Sequence, residues 1–244
     1  MKVVCIIQAR IGSIRLPGKI LKKICDKTVL EHGIDRVRRI GNINDIVIAT
    51  TTLERDNLVV EEAEKLHVKY YRGDEEDVLS RYYYAAKENN ADVIVRITSD
   101  CPLIDYEVSK KIIQYYISNM DKYDYVSNTI DRTYPRGLDT EVFSFGALEK
   151  AFFQASSVIE REHVTPYIWN NPNMFKLTQY KNDIDYSKLR WTLDTKEDFD
   201  LINKIYDALY LKKNNNFNMI DVLKLYDLLP ELYTINSEIE QKKI

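Results

Sequence analysis

The 244-residue chain is 45% hydrophobic and 30% charged, with a formal net charge of −3. That composition suits a globular protein with room for one large α/β domain, and it lacks the basic excess of a general nucleic-acid binder. No apolar run approaches membrane-spanning length, no basic-then-apolar leader opens the chain, and three scattered cysteines without a C-x-x-C read as reduced thiols, so a cytoplasmic protein is expected.

The apolar run at residues 3–7 (VVCII) reads as a buried strand and empties into Gln8-Ala9-Arg10-Ile11-Gly12-Ser13-Ile14-Arg15-Leu16-Pro17-Gly18-Lys19. Two glycines, two arginines and a lysine in one loop suit a polyanion. The glycines permit close approach or positive φ, Ser13 and backbone N–H groups donate, and Arg10, Arg15 and Lys19 offset phosphate charge. The spacing matches neither a Walker loop nor a dinucleotide fingerprint. A plain basic surface loop is the alternative.

Downstream, helical periodicity at 29–40 precedes a strand at 45–50 (DIVIAT), a helix at 57–66 and a short strand at 68–71. Arg72-Gly73-Asp74-Glu75-Glu76-Asp77 then leads into a helix over 75–89, where Arg72 and Arg81 either face a base, ribose or sugar or flank an ordinary cap. A strand at 92–97 (DVIVRI) ends in Thr98-Ser99-Asp100-Cys101-Pro102, followed by a helix at 107–118. Strands alternating with helices predict a mainly parallel sheet covered on both faces, with ligands beyond the carboxyl ends of the strands. The Gln8 loop and Asp100 both fall there. Asp100 suits a divalent cation beside triphosphate oxygens, or else caps a turn.

Beyond residue 123 the pattern loosens. Strands at 125–127 and 140–143 flank a polar loop at 128–139; helices follow at 147–153 and 159–169, with extended segments at 175–180 and 189–193. Helices at 196–210 and 219–228 close the chain, separated by a polar hinge at 212–216 and followed by an amphipathic or frayed tail at 237–244. The eighteen tyrosines fit amphipathic packing or a partner surface better than base stacking. Tyr134-Pro135-Arg136-Gly137-Leu138-Asp139-Thr140-Glu141 offers Arg136 to an anionic group and Asp139 or Glu141 to hydroxyls or metal; a Pro–Gly turn with solvated charges is the alternative. His163 either orients substrate or is a structural histidine. Asp194, at the next strand end, is a second metal candidate or an N-cap boxed with Glu197. No nucleophile constellation is present, which points to direct displacement on phosphorus with the acceptor supplying the attacking oxygen.

QARIGSIRLPGK resembles the N-terminal signature of the sugar cytidylyltransferases, the CMP-acylneuraminate and 3-deoxy-manno-octulosonate enzymes. RGDEEDVLSRYY, RITSDCPLID, YPRGLDTEVF, REHVTPYI and RWTLDTKEDF are more similar still to the branch named for spore coat polysaccharide biosynthesis protein F. The resemblance implies a three-layer α/β/α sandwich with a mostly parallel mixed sheet, the nucleotide-diphospho-sugar transferase fold. It further implies one nucleotidyltransferase domain over 1–244, with a substrate and dimerisation extension at about 128–185 in a homodimer. The implied reaction moves CMP from CTP to an acidic sugar or polyol acceptor, with Mg2+ as cofactor. Arg15, Lys19, Asp100 and Asp194 take the catalytic places, and the two aspartates hold the metal. Gln8, Ala9, Arg10, Gly12, Ser13, Arg15, Lys19, Arg72, Arg96 and Ser99 bind nucleotide; Arg136, Asp139, Glu141 and His163 bind acceptor. Relatives open with a PAR-type motif where this chain has Gln8-Ala9-Arg10. The rival enzyme is a metal-dependent glycosyltransferase on the same fold, which usually carries Asp-x-Asp where this chain has Ser-Asp-Cys-Pro. A non-catalytic nucleotide-binding protein is the third reading.

Overall fold

The computed structural model describes residues 1–213 and 215–241. β1 (Val3–Gln8) is followed by a small hairpin, β2 (Lys23–Ile24) and β3 (Lys27–Thr28), and then by α1 (Val29–Val37). Thr28 caps α1 by accepting from the Glu31 amide. β4 (Asp45–Thr51), α2 (Asn57–Lys65), β5 (Lys69–Gly73), α3 (Val78–Glu88), β6 (Val93–Thr98) and α4 (Tyr106–Ile117) continue the alternation. β7 (Tyr125–Ser127) and β8 (Glu141–Ser144) bracket the long polar loop, and α5 (Phe145–Gln154), α6 (Val158–His163), α7 (Pro166–Trp169) and β9 (Leu177–Gln179) follow. α8 (Lys196–Lys213) and α9 (Met219–Leu228) complete the helices.

The strands form one sheet in the order β5-β4-β1-β6-β8-β7-β9. β5, β4, β1 and β6 are parallel, β8 runs antiparallel to β6 and β7, and β9 is parallel to β7. Period-2 alternation sends Val3, Cys5 and Ile7 of β1 into a core shared with α1, α4, α8 and α9. Val4 and Ile6 enter a second core with α3 and α5. Each fully buried aliphatic side chain contributes about 1.5–3 kcal/mol, so both faces of the sheet need their helical cover. This is the expected α/β/α sandwich. Parallel pairing brings the ends of β1, β4 and β6 level, with Gln8 beside Ala49 and Thr98.

Several sequence expectations change. Helix 75–89 starts only at Val78, because the Asp77 side chain caps it by accepting from the Ser80 amide. The single helix expected over 159–169 is broken at Val164, whose φ is 74° and ψ −54°. Pro166, lacking an N–H, starts α7 instead. Residues 189–193 form only a bridge between Arg136 and Arg190, since Leu193 turns away to donate its N–H to the Asp100 carbonyl at 2.8 Å. In the described part of the polar hinge or turn at 212–216, Lys212 and Lys213 end α8, Lys212, Lys213 and Asn216 are exposed, and the turn residue Asn215 alone is buried at 2% exposure, its side-chain carbonyl accepting from Arg36 and Tyr206. Just before the tail, Asn236 is buried and donates to the Arg190 carbonyl and Asp198, and within the described part of the tail, 237–241, the residues are mostly exposed but the Gln241 side-chain oxygen accepts from Arg190. The rest of those two segments, residues 214 and 242–244, lies outside the described residues.

Candidate active site

The Gln8 loop is pinned before it reaches any ligand. Ala9 N–H donates to the Ala49 carbonyl at 3.1 Å, and Ile11 N–H donates to the fully buried Asp56 carboxylate at 2.6 Å. Gly18 takes φ 65°, which turns the chain into the short 3-10 turn carrying Lys19. Gly12 has no positive φ, but a Cβ there would press on Arg55 and Glu75.

Lys19 Nζ lies 2.7 Å from Asp100 and 2.5 Å from Asp194. Arg15 and Arg190 also donate to Asp194, at 3.0 and 3.2 Å. Residues almost two hundred positions apart therefore meet around one ammonium. Both aspartates are relieved of capping duty. Asp105, not Asp100, caps α4 through the Glu107 and Val108 amides. The box at the start of α8 uses Thr195 and Asp198 in place of Asp194 and Glu197: Asp198 N–H donates to the Thr195 hydroxyl, and Thr195 N–H to the Asp198 carboxylate. Burial opposes the charge on Asp100, but Lys19 and a hydrogen bond from Thr98 outweigh it and hold its carboxyl below the usual range. Burial likewise opposes the Lys19 charge, and the two carboxylates more than compensate, raising its pKa.

Two cavities adjoin this cluster. The first, about 600 Å³, is lined by Gln8, Ala9, Arg10, Gly12, Ser13, Arg15, Lys19, Ser99, Asp100 and Asp194, together with Arg81 of α3. The second, about 850 Å³, lies toward β8 and β9, and Arg96, Arg132, Glu141 and Trp169 contribute to its wall. Arg136, Asp139 and His163 line both.

The structure thus gathers the expected nucleotide residues into one cavity, with two exceptions. Arg72 is spent on the Thr51 and Leu53 carbonyls and lines neither cavity, because β5 ends with its side chain folded back over β4. Arg96 lines the second cavity instead, held by an ion pair to Glu141 and a 3.1 Å bond to the Gln8 side chain. Glu141 is 5% exposed and also accepts from Tyr125 at 2.5 Å and Thr165 at 2.7 Å. Its carboxylate braces the wall rather than reaching for a ligand. Asp139 is held by a two-pronged pair with Arg132.

Sequence reasoning passed over Arg132, Trp169 and Gln241, and gave Arg190 no role. Only Arg190 left a signal, since Arg190, Asp194 and Asp198 recur at intervals of four; its guanidinium bridges both carboxylates. Among the described residues no group of three or more His, Cys, Asp or Glu converges as a metal cage. Two carboxylates lining one cavity beside a cationic loop nonetheless fit Mg2+, which prefers one or two carboxylates with phosphate and water.

The cytidylyltransferase family pattern matches residues 4–233. An uncharacterized protein of Methanocaldococcus jannaschii is 42% identical over 99% of this chain and 97% of its own length. The spore coat polysaccharide biosynthesis protein SpsF of Bacillus subtilis is 33% identical over 82% of this chain and 85% of its own. The solved structure of a cytidylyltransferase from Leptospira borgpetersenii superposes with a TM-score of 0.91 at 34% identity, covering 100% of both chains.

Proposed function

The chain belongs to the cytidylyltransferase family of CTP-dependent nucleotidyltransferases, and from that premise we propose that it transfers CMP to an acidic sugar or related surface-polysaccharide precursor, releasing pyrophosphate. The observation that carries this reading is the Lys19 ammonium between Asp100 and Asp194, on a backbone-rich loop, with a second, larger cavity adjoining. Arg15 and Lys19, now paired with carboxylates, exchange those partners for the β- and γ-phosphate oxygens of CTP. The acceptor's hydroxyl oxygen attacks the α-phosphorus in line and gives up its proton to solvent; the bond from the α-phosphorus to the α,β-bridging oxygen breaks, and pyrophosphate leaves against the same two cations. Asp100 and Asp194 are the residues that would hold Mg2+, which supplies further charge neutralisation at the phosphates when bound. The Ser13 hydroxyl and the Gly12 N–H supply donors that orient the triphosphate, while the Ser13 N–H is held by the Ile11 carbonyl at 2.7 Å.

In the second cavity, Arg132 and Arg96 already have carboxylate partners, whereas no carboxylate lies within ion-pair distance of Arg136 among the described residues. That leaves Arg136 for the acceptor's acidic group, with Asp139 and His163 nearby for hydroxyls. The same reading includes one catalytic domain with an acceptor-side extension over about 128–185, a cytoplasmic location and a homodimer. Exposed Phe153, Val158 and Ile159 on α5 and α6 offer an apolar surface for the last. No helix among the described residues is long and apolar enough to cross a membrane.

Pyrophosphate release from each of four nucleoside triphosphates, against a panel of sugar acids and with or without magnesium, tests the proposal. Release that requires CTP, an acidic acceptor and the metal is expected. Equal release from all four nucleotides, or none with any acid, would overturn it.

A further inference from the structure

The proposed reaction needs its two substrates to touch, and molecules held in two cavities can react only where the cavities join. Five residues line both: Thr98, Arg136, Asp139, His163 and Gln241. The first four come from the end of β6, the 128–139 loop and the end of α6. Gln241 reaches the seam from elsewhere in the chain, past residue 233, where the match to the family pattern stops.

Arg190 holds it there. Buried Asn236 donates to the Arg190 carbonyl at 3.0 Å and to Asp198 at 2.9 Å, and the Ile239 N–H turns the segment by donating back to the Asn236 carbonyl at 3.2 Å. The Arg190 guanidinium is itself fixed. Its Nε and Nη2 donate to Asp198 at 2.8 and 3.0 Å, and Nη2 also donates to Asp194 at 3.2 Å. Nη1 is left over, and the Gln241 side-chain oxygen takes it. Because a guanidinium only donates, this contact uses the carbonyl end of the amide, and the NH2 end is oriented by it. No described residue accepts from that nitrogen. The bridge between Arg136 and Arg190 sets the whole arrangement beside the seam.

Other residues shared by the cavities are engaged. Thr98 donates to the Asp100 carboxylate, Arg132 grips Asp139, and Arg136 goes to the acceptor's acidic group in the proposed reaction. Arg15 and Lys19 serve the leaving pyrophosphate, which leaves the oxygens on the α-phosphorus in need of a donor at the seam. A fixed, neutral N–H stabilises the charge they carry through the transfer.

Building on the proposed reaction, we infer that Gln241 is a further catalytic residue, whose side-chain N–H donates to a non-bridging oxygen of the α-phosphate while Arg190 holds the amide in place. The tail thus completes the site that the sheet ends begin.

The test follows Gln241→Ala and Gln241→Glu in the full chain by initial rates of pyrophosphate release, phosphorus NMR of bound CTP and apo melting temperature. Gln241 is exposed, so alanine should leave the melting temperature within about 2 °C of wild type. Its kcat falls about ten- to a hundredfold, and KM for CTP and for the acceptor stays within about threefold. In bound CTP the α-phosphorus resonance moves, while the β and γ resonances hold. Gln241→Glu keeps an acceptor for Arg190 and removes the donors, so its kcat should be no higher than that of the alanine variant. A tail that merely clasped Arg190 would work as well with the carboxylate. Wild-type kcat in either variant would overturn the assignment, as would a loss confined to KM or an α-phosphorus resonance unmoved in both. Wild-type protein that binds CTP yet releases no pyrophosphate with any acid would overturn the proposed reaction, and the α-phosphorus resonance then still decides whether Gln241 meets that phosphate.

Discussion

Lys19 occupies the position where three charges must balance. Its ammonium is only about one-eighth exposed and spans two carboxylates that lie in different segments of the chain. Replacing it with methionine leaves those carboxylates facing each other and removes a cation from the leaving pyrophosphate, so turnover should fall by about a hundredfold or more in a pyrophosphate-release assay. The same pair sets a pH dependence. Asp100 titrates lower in the folded chain, so its stabilisation is full above about pH 4 and is lost as pH falls through the folded value. Lys19 titrates higher, so its share is full below about pH 10.4 and is lost as pH rises past that. The melting-temperature gap between wild type and Lys19→Met should hold steady from pH 5 to about 9 and shrink on both flanks; a gap that peaked at either extreme would remove the ion pair from the account. Glu141 is the opposite kind of carboxylate, buried and fully partnered by Arg96, Tyr125 and Thr165. Glu141→Ala should destabilise the fold by about 3 kcal/mol, read by denaturant unfolding, because Arg96 is left buried without its counter-charge.

At the scale of elements, the break between α6 and α7 delivers His163 to both cavities. Thr165 N–H donates to the His163 carbonyl at 2.9 Å across Val164, a γ-turn with positive φ in a fully buried β-branched residue. Such a turn costs about 1–3 kcal/mol and persists only where its surroundings impose it; here Thr165 is anchored to Glu141 and Arg161 to Asp77. Val164→Gly should therefore be more stable than Val164→Ala by about 1 kcal/mol, reversing the usual order of the two residues; thermal denaturation of the pair decides it. Nothing in REHVTPYIW announces this turn, since apolar periodicity reports which residues are buried and not where a chain doubles back. The alternation of strands and helices to residue 118 was legible for that same reason, as was the Gln8 loop, whose charge and glycine content are local. The Lys19–Asp100–Asp194 meeting could be placed only at strand ends, and the withdrawal of Arg72 depends on carbonyls of another strand. Trp169 and Gln241 reach the second cavity through tertiary placement alone.

Across the whole molecule, the sheet order separates two cavities. Parallel strands on one side of β6 carry the Gln8 loop and the first cavity, and the antiparallel and edge strands on the other side wall the second; the proposed function divides nucleotide and acceptor between them. Gly137 stands at the seam: its φ is 100°, and a Cβ there would come within 2.6 Å of the Trp191 backbone. The close packing aligns Arg136 with the Arg190–Asp194 segment, through Trp191 N–H donating to the Arg136 carbonyl at 2.7 Å. If the division holds, substitutions at residues confined to one cavity should split kinetically. Trp169, which lines only the acceptor side and is partly exposed, can be truncated without touching the phosphate loop. Trp169→Ala should raise KM for the acceptor at least about tenfold, the order expected when an aromatic contact and its buried area are lost, and leave KM for CTP near the wild-type value. Ser13→Ala should do the reverse, weakening CTP with the acceptor KM unchanged, because its side chain borders only the nucleotide cavity. Initial-rate measurements with each substrate varied in turn distinguish these outcomes, and a parallel rise of both constants in both variants would mean that the two cavities act as one site.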